Sequence, residues 1–302
     1  MAKARIAVLG AGLMGHGIAQ VFALAGHDVT ITDAAAASLD SVKSRIAANL
    51  KDLGDDETAV ERVTPCADLA AAVGDADYVV EAVLEDLPLK RKLFADVERH
   101  VRPDAILASN TSVIPITQIM GGLQRRERAL GTHWWNPPYL VPLVEVIGTQ
   151  WTSQAAIDWT IALHKEAGKT PVHVKKDVPG FVGNRLQHAL WRECIALVAN
   201  GICDAETVDT VIKASFGRRL AVLGPLENAD LVGTDLTLAI HKTVLPDLDR
   251  TPGPSPYLET LVADGKLGMK TGEGFRTWTA AEQATLRGRV LQHLKKARES
   301  DT

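Results

Sequence analysis

The chain has 302 residues, 46% of them hydrophobic, with 33 basic against 37 acidic side chains and a formal net charge of -4. That suffices for roughly two domains with a substantial core, while the interspersed charge offers no basic patch threaded with aromatics and argues against a nucleic-acid partner. No apolar run approaches the roughly 18 residues that span a bilayer, so no membrane association is expected. The N-terminus MAKARIAVLGAG lacks a signal-peptide layout. Cys66, Cys194 and Cys203 are scattered and odd in number, which points to a reducing, cytoplasmic compartment without a disulfide framework. The nine histidines show neither HExxH nor CxxC spacing, and no metal site is expected.

In chain order, residues 5–9 read as a strand. Met14, Ile18, Val21, Phe22 and Ala25 then recur at helical spacing, and Gly26 supplies the stop. Further strands are expected at 28–32, 78–82, 105–109, 130–133 and 143–147. Ser153 can cap a helix that ends at Gly168, and 170–174 reads as one more strand. Beyond Gly180 strand patterns almost vanish. Residues 181–200 read as a long helix closed by Gly201, with further helices from Asp204, Pro225, Ser255 and Ala280 and a proline-rich break over 246–256. The fold class is therefore α/β: a Rossmann-type, mostly parallel sheet in residues 1–180, then an all-helical domain in 181–302.

The first glycine turn, GAGLMG, comprises Gly10, Gly12, Leu13, Met14 and Gly15 around Ala11 and matches GxGxxG. The pattern is weak alone, but here it follows a predicted strand and opens a predicted helix. Gly10 allows the tight turn, Gly12 lets a pyrophosphate approach the backbone, and Gly15 permits close helix–strand packing at a helix N-terminus with unpaired N–H groups. Asp33, at the end of the second strand, can accept hydrogen bonds from both ribose hydroxyls and would repel an added 2′-phosphate. Residues 34–37 supply no arginine for such a phosphate. These features favour NAD over NADP.

Four downstream segments complete a pattern: SNTS at 109–112, GTHWWNPP at 131–138 leading into LVEVI at 143–147, DVPGFVGNR at 177–185, and KTGEGF at 270–275. Together with the glycine turn, this ordered set resembles the L-3-hydroxyacyl-CoA dehydrogenase family over nearly the whole chain. The resemblance implies a Rossmann domain plus a helical domain through which members dimerise. It implies that His133 is the general base and Glu145 its carboxylate partner, and that Ser112 and Asn184 contact the substrate. It further implies that Glu85, Lys90, Asn110, Asn136 and Lys270 line the nucleotide and nicotinamide.

The chemistry fits these residue types independently. Oxidising an alcohol removes a hydride from carbon and a proton from oxygen, and imidazole titrates near working pH. A carboxylate on the far ring nitrogen fixes the tautomer and stabilises the imidazolium. A serine hydroxyl and an asparagine amide hold a developing alkoxide or neighbouring carbonyl without competing for the proton. Each residue also has a plainer alternative: a packed histidine beside two tryptophans, a surface acid, or a serine and an asparagine that cap backbone.

Two departures bear on the substrate. Between Asp33 and Tyr78, where the resemblance assigns acyl-CoA members a longer helical pair with basic residues, the chain is compressed to 38–53 plus the acidic turn Asp55, Asp56, Glu57, a poor partner for a phosphate. The usual HFFNP is HWWNP here, so Trp134 and Trp135 either reshape the pocket or simply pack the core. Both departures, and FGRRLAVLGPLE at 216–227, lean toward the branch that resembles carnitine dehydrogenase and lambda-crystallin/gulonate dehydrogenase. In that branch Arg218 or Arg219 is a candidate clamp for a free carboxylate. Two enzymatic readings therefore stand, a short 3-hydroxyacyl-CoA substrate or a free small hydroxy acid. Against them stands a non-catalytic, crystallin-like or NAD-sensing relative, opposed by the intact set Ser112, His133, Glu145 and Asn184.

Overall fold

A computed structural model describes residues 3–301. The chain divides into two compact units. One runs through Arg185 and takes back the chain from Gln292, and the other is Leu186–Leu291. The division falls a few residues beyond Gly180, and the last turns of the C-terminal helix, expected with the second domain, pack with the first.

The first unit alternates strand and helix: β1 (Arg5–Leu9), α1 (Leu13–Leu24), β2 (Asp28–Thr32), α2 (Ala36–Asp40), α3 (Val42–Leu53), a 3-10 turn at Glu57–Arg62, β3 (Val63–Pro65), α4 (Leu69–Val73), β4 (Tyr78–Glu81), α5 (Leu87–His100), β5 (Ile106–Ser109), α6 (Ile116–Met120), β6 (Ala129–Trp134), β7 (Leu143–Ile147), α7 (Gln154–Glu166) and β8 (Thr170–Val174). The strands form one sheet in the order β3-β2-β1-β4-β5-β6-β7-β8. Neighbours are parallel except β6 and β7, which run antiparallel. The strand order reverses at β1/β4, the crevice where open α/β sheets bind ligands beyond the carboxyl ends of their strands.

The sheet is covered on both faces because side chains alternate along each strand. Ile6, Val8, Ile31, Tyr78 and Val80 pack with Phe22 of α1 on one side. Ala7, Leu9, Val79 and Leu107 pack with Phe94 of α5 and Ile119 of α6 on the other. On α3, Val42, Ile46 and Leu50 form a fully buried stripe, and Gly54 closes the helix in the left-handed region. The compressed stretch after Asp33 forms two short helices meeting at Ser41. β3 escapes sequence reading because its three residues end in proline, tolerable on an edge strand.

The second unit takes over α8 (Gly183–Ala199) from Leu186 and holds α9 (Ala205–Ala214), α10 (Pro225–Val232), α11 (Thr234–Val244), α12 (Pro256–Ala263) and the start of α13 (Ala280–Asp301). Asp204 caps α9 through the Thr207 amide, and Gly201 adopts a positive φ behind α8. α8, α10 and α11 bury no residue fully, and Leu226, Leu231 and Leu238 stand exposed on them. Among the described residues no helix is long and apolar enough to cross a membrane.

The far end of α13 explains the acidic turn after α3. Lys295 Nζ lies 2.7 Å from the Asp52 carboxylate and Arg298 Nη2 lies 2.7 Å from that of Asp55. Asp55 is well shielded, so losing its cation strands a mostly buried charge. Arg298→Ala is therefore expected to lower stability by about 1–2 kcal/mol in urea unfolding, with Arg298→Lys recovering part of the loss. An unchanged midpoint would show that the contact contributes nothing.

Candidate active site

The glycine turn has the geometry its sequence demands. Gly10 adopts φ +102°, and a Cβ there would meet the Ala82 carbonyl oxygen at 2.7 Å. A Cβ on Gly15 would lie 1.7 Å from the Gly10 oxygen, whereas one on Gly12 meets nothing within 4 Å, leaving an open approach. No side chain caps α1, which begins at Leu13, so its first amides face that approach unpaired. Asp33 accepts from the Ala11 amide at 2.6 Å and the Ala35 amide at 2.8 Å, which orients its carboxylate beside the turn. This cradle fits an adenine dinucleotide: a bare helix N-terminus for the pyrophosphate and a fixed carboxylate for the ribose diol.

His133 and Glu145 are direct partners across the antiparallel β6–β7 pair, so their side chains rise from the same face of the sheet. The reversal at β7 brings Glu145 alongside from the opposite direction. Both are buried, and His133 Nδ1 lies 2.7 Å from Glu145 Oε2. The carboxylate can only accept, so Nδ1 carries a proton, and in the neutral ring Nε2 is the nitrogen left to accept one. Glu145 Oε1 accepts the amides of Val182 and Gly183 at 2.9 and 3.0 Å. Burial alone would push the Glu145 carboxyl up, but the His133 ring and the two amides outweigh it and hold it below the usual carboxylate range. Those amides are delivered by Phe181, a non-glycine residue at φ +49° whose buried ring lies 5.7 Å from His133.

A cavity of about 310 Å³ opens beyond the strand ends. It is lined by Met14, Ala82, Val83, Glu85, Asn110, Ser112, His133, Trp134, Trp135, Asn136 and Asn184. Of the expected site residues, it brings together His133, Ser112, Asn184, Glu85, Asn110, Asn136 and Met14. Asn184 Nδ2 donates to the Ser112 carbonyl at 2.9 Å, and Asn110 Oδ1 accepts the Trp134 amide at 2.8 Å, tying β5 to β6. Lys90 is fully buried behind this surface, 2.6 Å from Glu81, and is not among the lining residues. Lys270 belongs to the second unit, where it lines an apolar cavity of about 600 Å³ with Trp191, Phe275 and Trp278. Arg218 and Arg219 are exposed in that unit, at and just after a 3-10 turn.

The two tryptophans part company. Trp134 borders the cavity, but its ring is buried in the core, edge-on to Phe22 at 5.6 Å and against His164, whose pKa burial pushes down to about 4. Trp135 lines the cavity, 5.3 Å from the His133 ring, and packs so closely on Gly183 that a Cβ there would meet it at 2.5 Å. Sequence reading missed Glu81, Phe181, the two amides on Glu145, and Lys169. Lys169 Nζ donates to the carbonyls of Pro138 and Val141 and sits 5.4 Å from the Trp134 ring, supporting the loop after the cis peptide Asn136–Pro137. An isolated lysine after a helix carries no signal for that contact.

Residues 5–178 match the 3-hydroxyacyl-CoA dehydrogenase NAD binding domain model, and residues 180–278 the C-terminal domain model of the same name. The chain is 38% identical to human mitochondrial hydroxyacyl-coenzyme A dehydrogenase, covering 89% of this chain and 90% of that one. It is 40% identical to L-carnitine dehydrogenase of Streptomyces griseus subsp. griseus over 82% of this chain and 78% of that one. Among solved structures it is similar to 5-formyl-3-hydroxy-2-methylpyridine 4-carboxylic acid 5-dehydrogenase, an NAD+-dependent dismutase, with a TM-score of 0.92 and 32% identity over 99% of this chain and 98% of that one.

Lys169 offers a test of the loop geometry. Burial, helped by the charge of Arg298, pushes its pKa down to about 8. Below pH 8 folded and unfolded chains both hold the proton, and the burial cost is fully present. Between about 8 and the unfolded value near 10.4 the unfolded chain binds more protons, so stability rises with pH. A side-chain NMR titration should find one amine near 8, and Lys169→Met should remove the alkaline rise. Lysines that all titrate near 10.4 would contradict the burial.

Proposed function

This chain belongs to the 3-hydroxyacyl-CoA dehydrogenase family, and we propose that within it the chain interconverts alcohol and carbonyl on a small hydroxy acid whose carboxylate is free. It is an NAD-dependent oxidoreductase acting on a CH–OH group. One observation carries the choice of substrate. The segment that the resemblance assigns to CoA is short and ends in an acidic turn, and Asp52 and Asp55 are taken by Lys295 and Arg298 of α13. That helix lies beyond the matched family domains, yet the pyridine carboxylate dehydrogenase, whose named substrate is a compact free acid, is similar over 99% of the chain.

In this reading His133 Nε2 takes the hydroxyl proton as hydride leaves the adjacent carbon, and returns it in the reverse direction. NAD supplies the hydride acceptor. Glu145, held charged, stabilises the imidazolium and keeps Nδ1 protonated. The Ser112 hydroxyl and Asn184 amide hold the oxygen on which charge develops. Gly10, Gly12, Leu13, Met14 and Gly15 receive the pyrophosphate and Asp33 the adenosine ribose, with Glu85, Asn110 and Asn136 toward the nicotinamide. Lys90 supports from behind. Trp135 narrows the space beside the base, which suits a small substrate.

Identity to the human hydroxyacyl-coenzyme A dehydrogenase favours a second reading, a short 3-hydroxyacyl-CoA in fatty acid metabolism. The exposed leucines of α10 and α11 suit a homodimer through the second unit. The unpaired Cys66, Cys194 and Cys203 suit a cytoplasmic setting.

NADH formation compared across 3-hydroxybutyryl-CoA, 3-hydroxybutyrate, carnitine, gulonate and a hydroxymethylpyridine carboxylate separates the readings. Turnover of a free acid is expected, and turnover of the thioester alone would reverse the choice. His133→Ala should keep NAD affinity while losing about 10²–10⁴ in kcat. Undiminished turnover would remove His133 from the mechanism.

A further inference from the structure

Behind the cavity runs a line of charged contacts that the reaction scheme leaves unused. Glu81, the last residue of β4, is fully buried, and its carboxylate takes three donors: Lys90 Nζ at 2.6 Å, Ser109 Oγ at 2.6 Å and the Val83 amide at 2.8 Å. Lys90 also reaches Glu85 at 3.3 Å. Glu85 Oε1 accepts Thr111 Oγ1 at 2.5 Å and the amides of Ser112 and Val113 at 2.9 and 3.2 Å. Burial alone would raise the Glu85 carboxyl, but Thr111, Lys90 and the amides hold it below the usual range, so it stays a charged acceptor. The loop it grips carries the Ser112 hydroxyl, and its Ser112 carbonyl holds Asn184.

A buried ion pair adds little net stability, because desolvating both charges offsets their attraction. A hydrophobic pair would fill this space at no greater cost. What charges provide instead is direction: hydrogen bonds fix angles that apolar packing leaves loose. The lysine links two carboxylates, one anchored in the sheet and one at the cavity wall. Lys90 at 1% exposure, off the cavity lining, is placed to act on its neighbours rather than on a ligand.

We propose that Glu81 is a positioning residue for the reaction, acting through Lys90 and Glu85 to fix the loop that presents Ser112 and Asn184 beside His133. The inference rests on the reading of Ser112 as a substrate contact. A misplaced contact of about 1 Å costs on the order of 10²-fold in rate. Glu81→Gln, isosteric and uncharged, is therefore expected to lower kcat by about 10- to 100-fold, a larger change than in the NAD dissociation constant.

A merely structural role would lower the melting temperature without this split. Because one branch of the route ends at the Ser112 hydroxyl, Glu81→Gln should cost distinctly less on a Ser112→Ala background than alone, with only the Asn184 branch remaining. A folded Glu81→Gln enzyme with undiminished kcat, or a loss that adds in full to that of Ser112→Ala, overturns the inference alone. Ser112→Ala with undiminished kcat overturns the reading of Ser112, and the inference with it. Should Glu81→Gln fail to fold, the Glu81→Gln/Lys90→Met double variant leaves no lone charge between them. It should show the same kcat deficit, and a normal kcat there overturns the inference.

Discussion

A carboxylate in the middle of a strand, walled off from water, keeps its charge only if its lone pairs are met by donors. Glu145 is in that position, and much of the site follows from supplying those donors. One oxygen needs the imidazole, which requires β7 to run against β6 so that the two residues face each other. The other needs two backbone amides, which requires the chain to return after β8 and turn at Phe181. The residue at 183 must then be glycine, since Trp135 leaves no room for more. Segments distant in sequence are thus bound to one buried charge, and the orientation of the base is the result.

The same logic repeats one layer deeper, where Glu81 and Lys90 form a second sealed charge group behind the cavity. Neither is a convincing source of stability, given what desolvation costs. Both turn a surface that hydrophobic packing would leave approximate into one with defined hydrogen-bond directions. The aromatic residues divide the work: Trp134, Phe22 and His164 fill the core beneath β6, while Trp135 and Phe181 flank the imidazole.

What could be read from sequence was what depends on local spacing. Glycines 10, 12 and 15, Asp33, the strand–helix alternation and the caps at Ser153 and Asp204 are each dictated by neighbours a few residues away. His133 and Glu145 were legible as a pair through the motifs around them, but the direction of β7 was not, because four apolar residues around one central acid look alike read either way. Lys90 was expected to line the nucleotide and is buried off the cavity lining, since nothing in a helical LKRK stretch marks which lysine turns inward. Glu81 was invisible because a strand-terminal acid resembles a surface acid until the sheet is built. The purpose of α13 emerged only when its cations met the acids of another element.

Phe181 carries an implication of its own. Its left-handed backbone is one that glycine or asparagine would adopt with less strain, and by that criterion alone aromatic side chains should be rare there. Yet the ring is wholly buried against the imidazole, and deleting a buried phenyl costs about 3–5 kcal/mol, more than the backbone would recover. The two demands leave almost no compatible residue, so drift at this position is blocked from both sides. A chain of this architecture that carries glycine at 181 has released its torsional tension and, with it, the wall that keeps its imidazole upright.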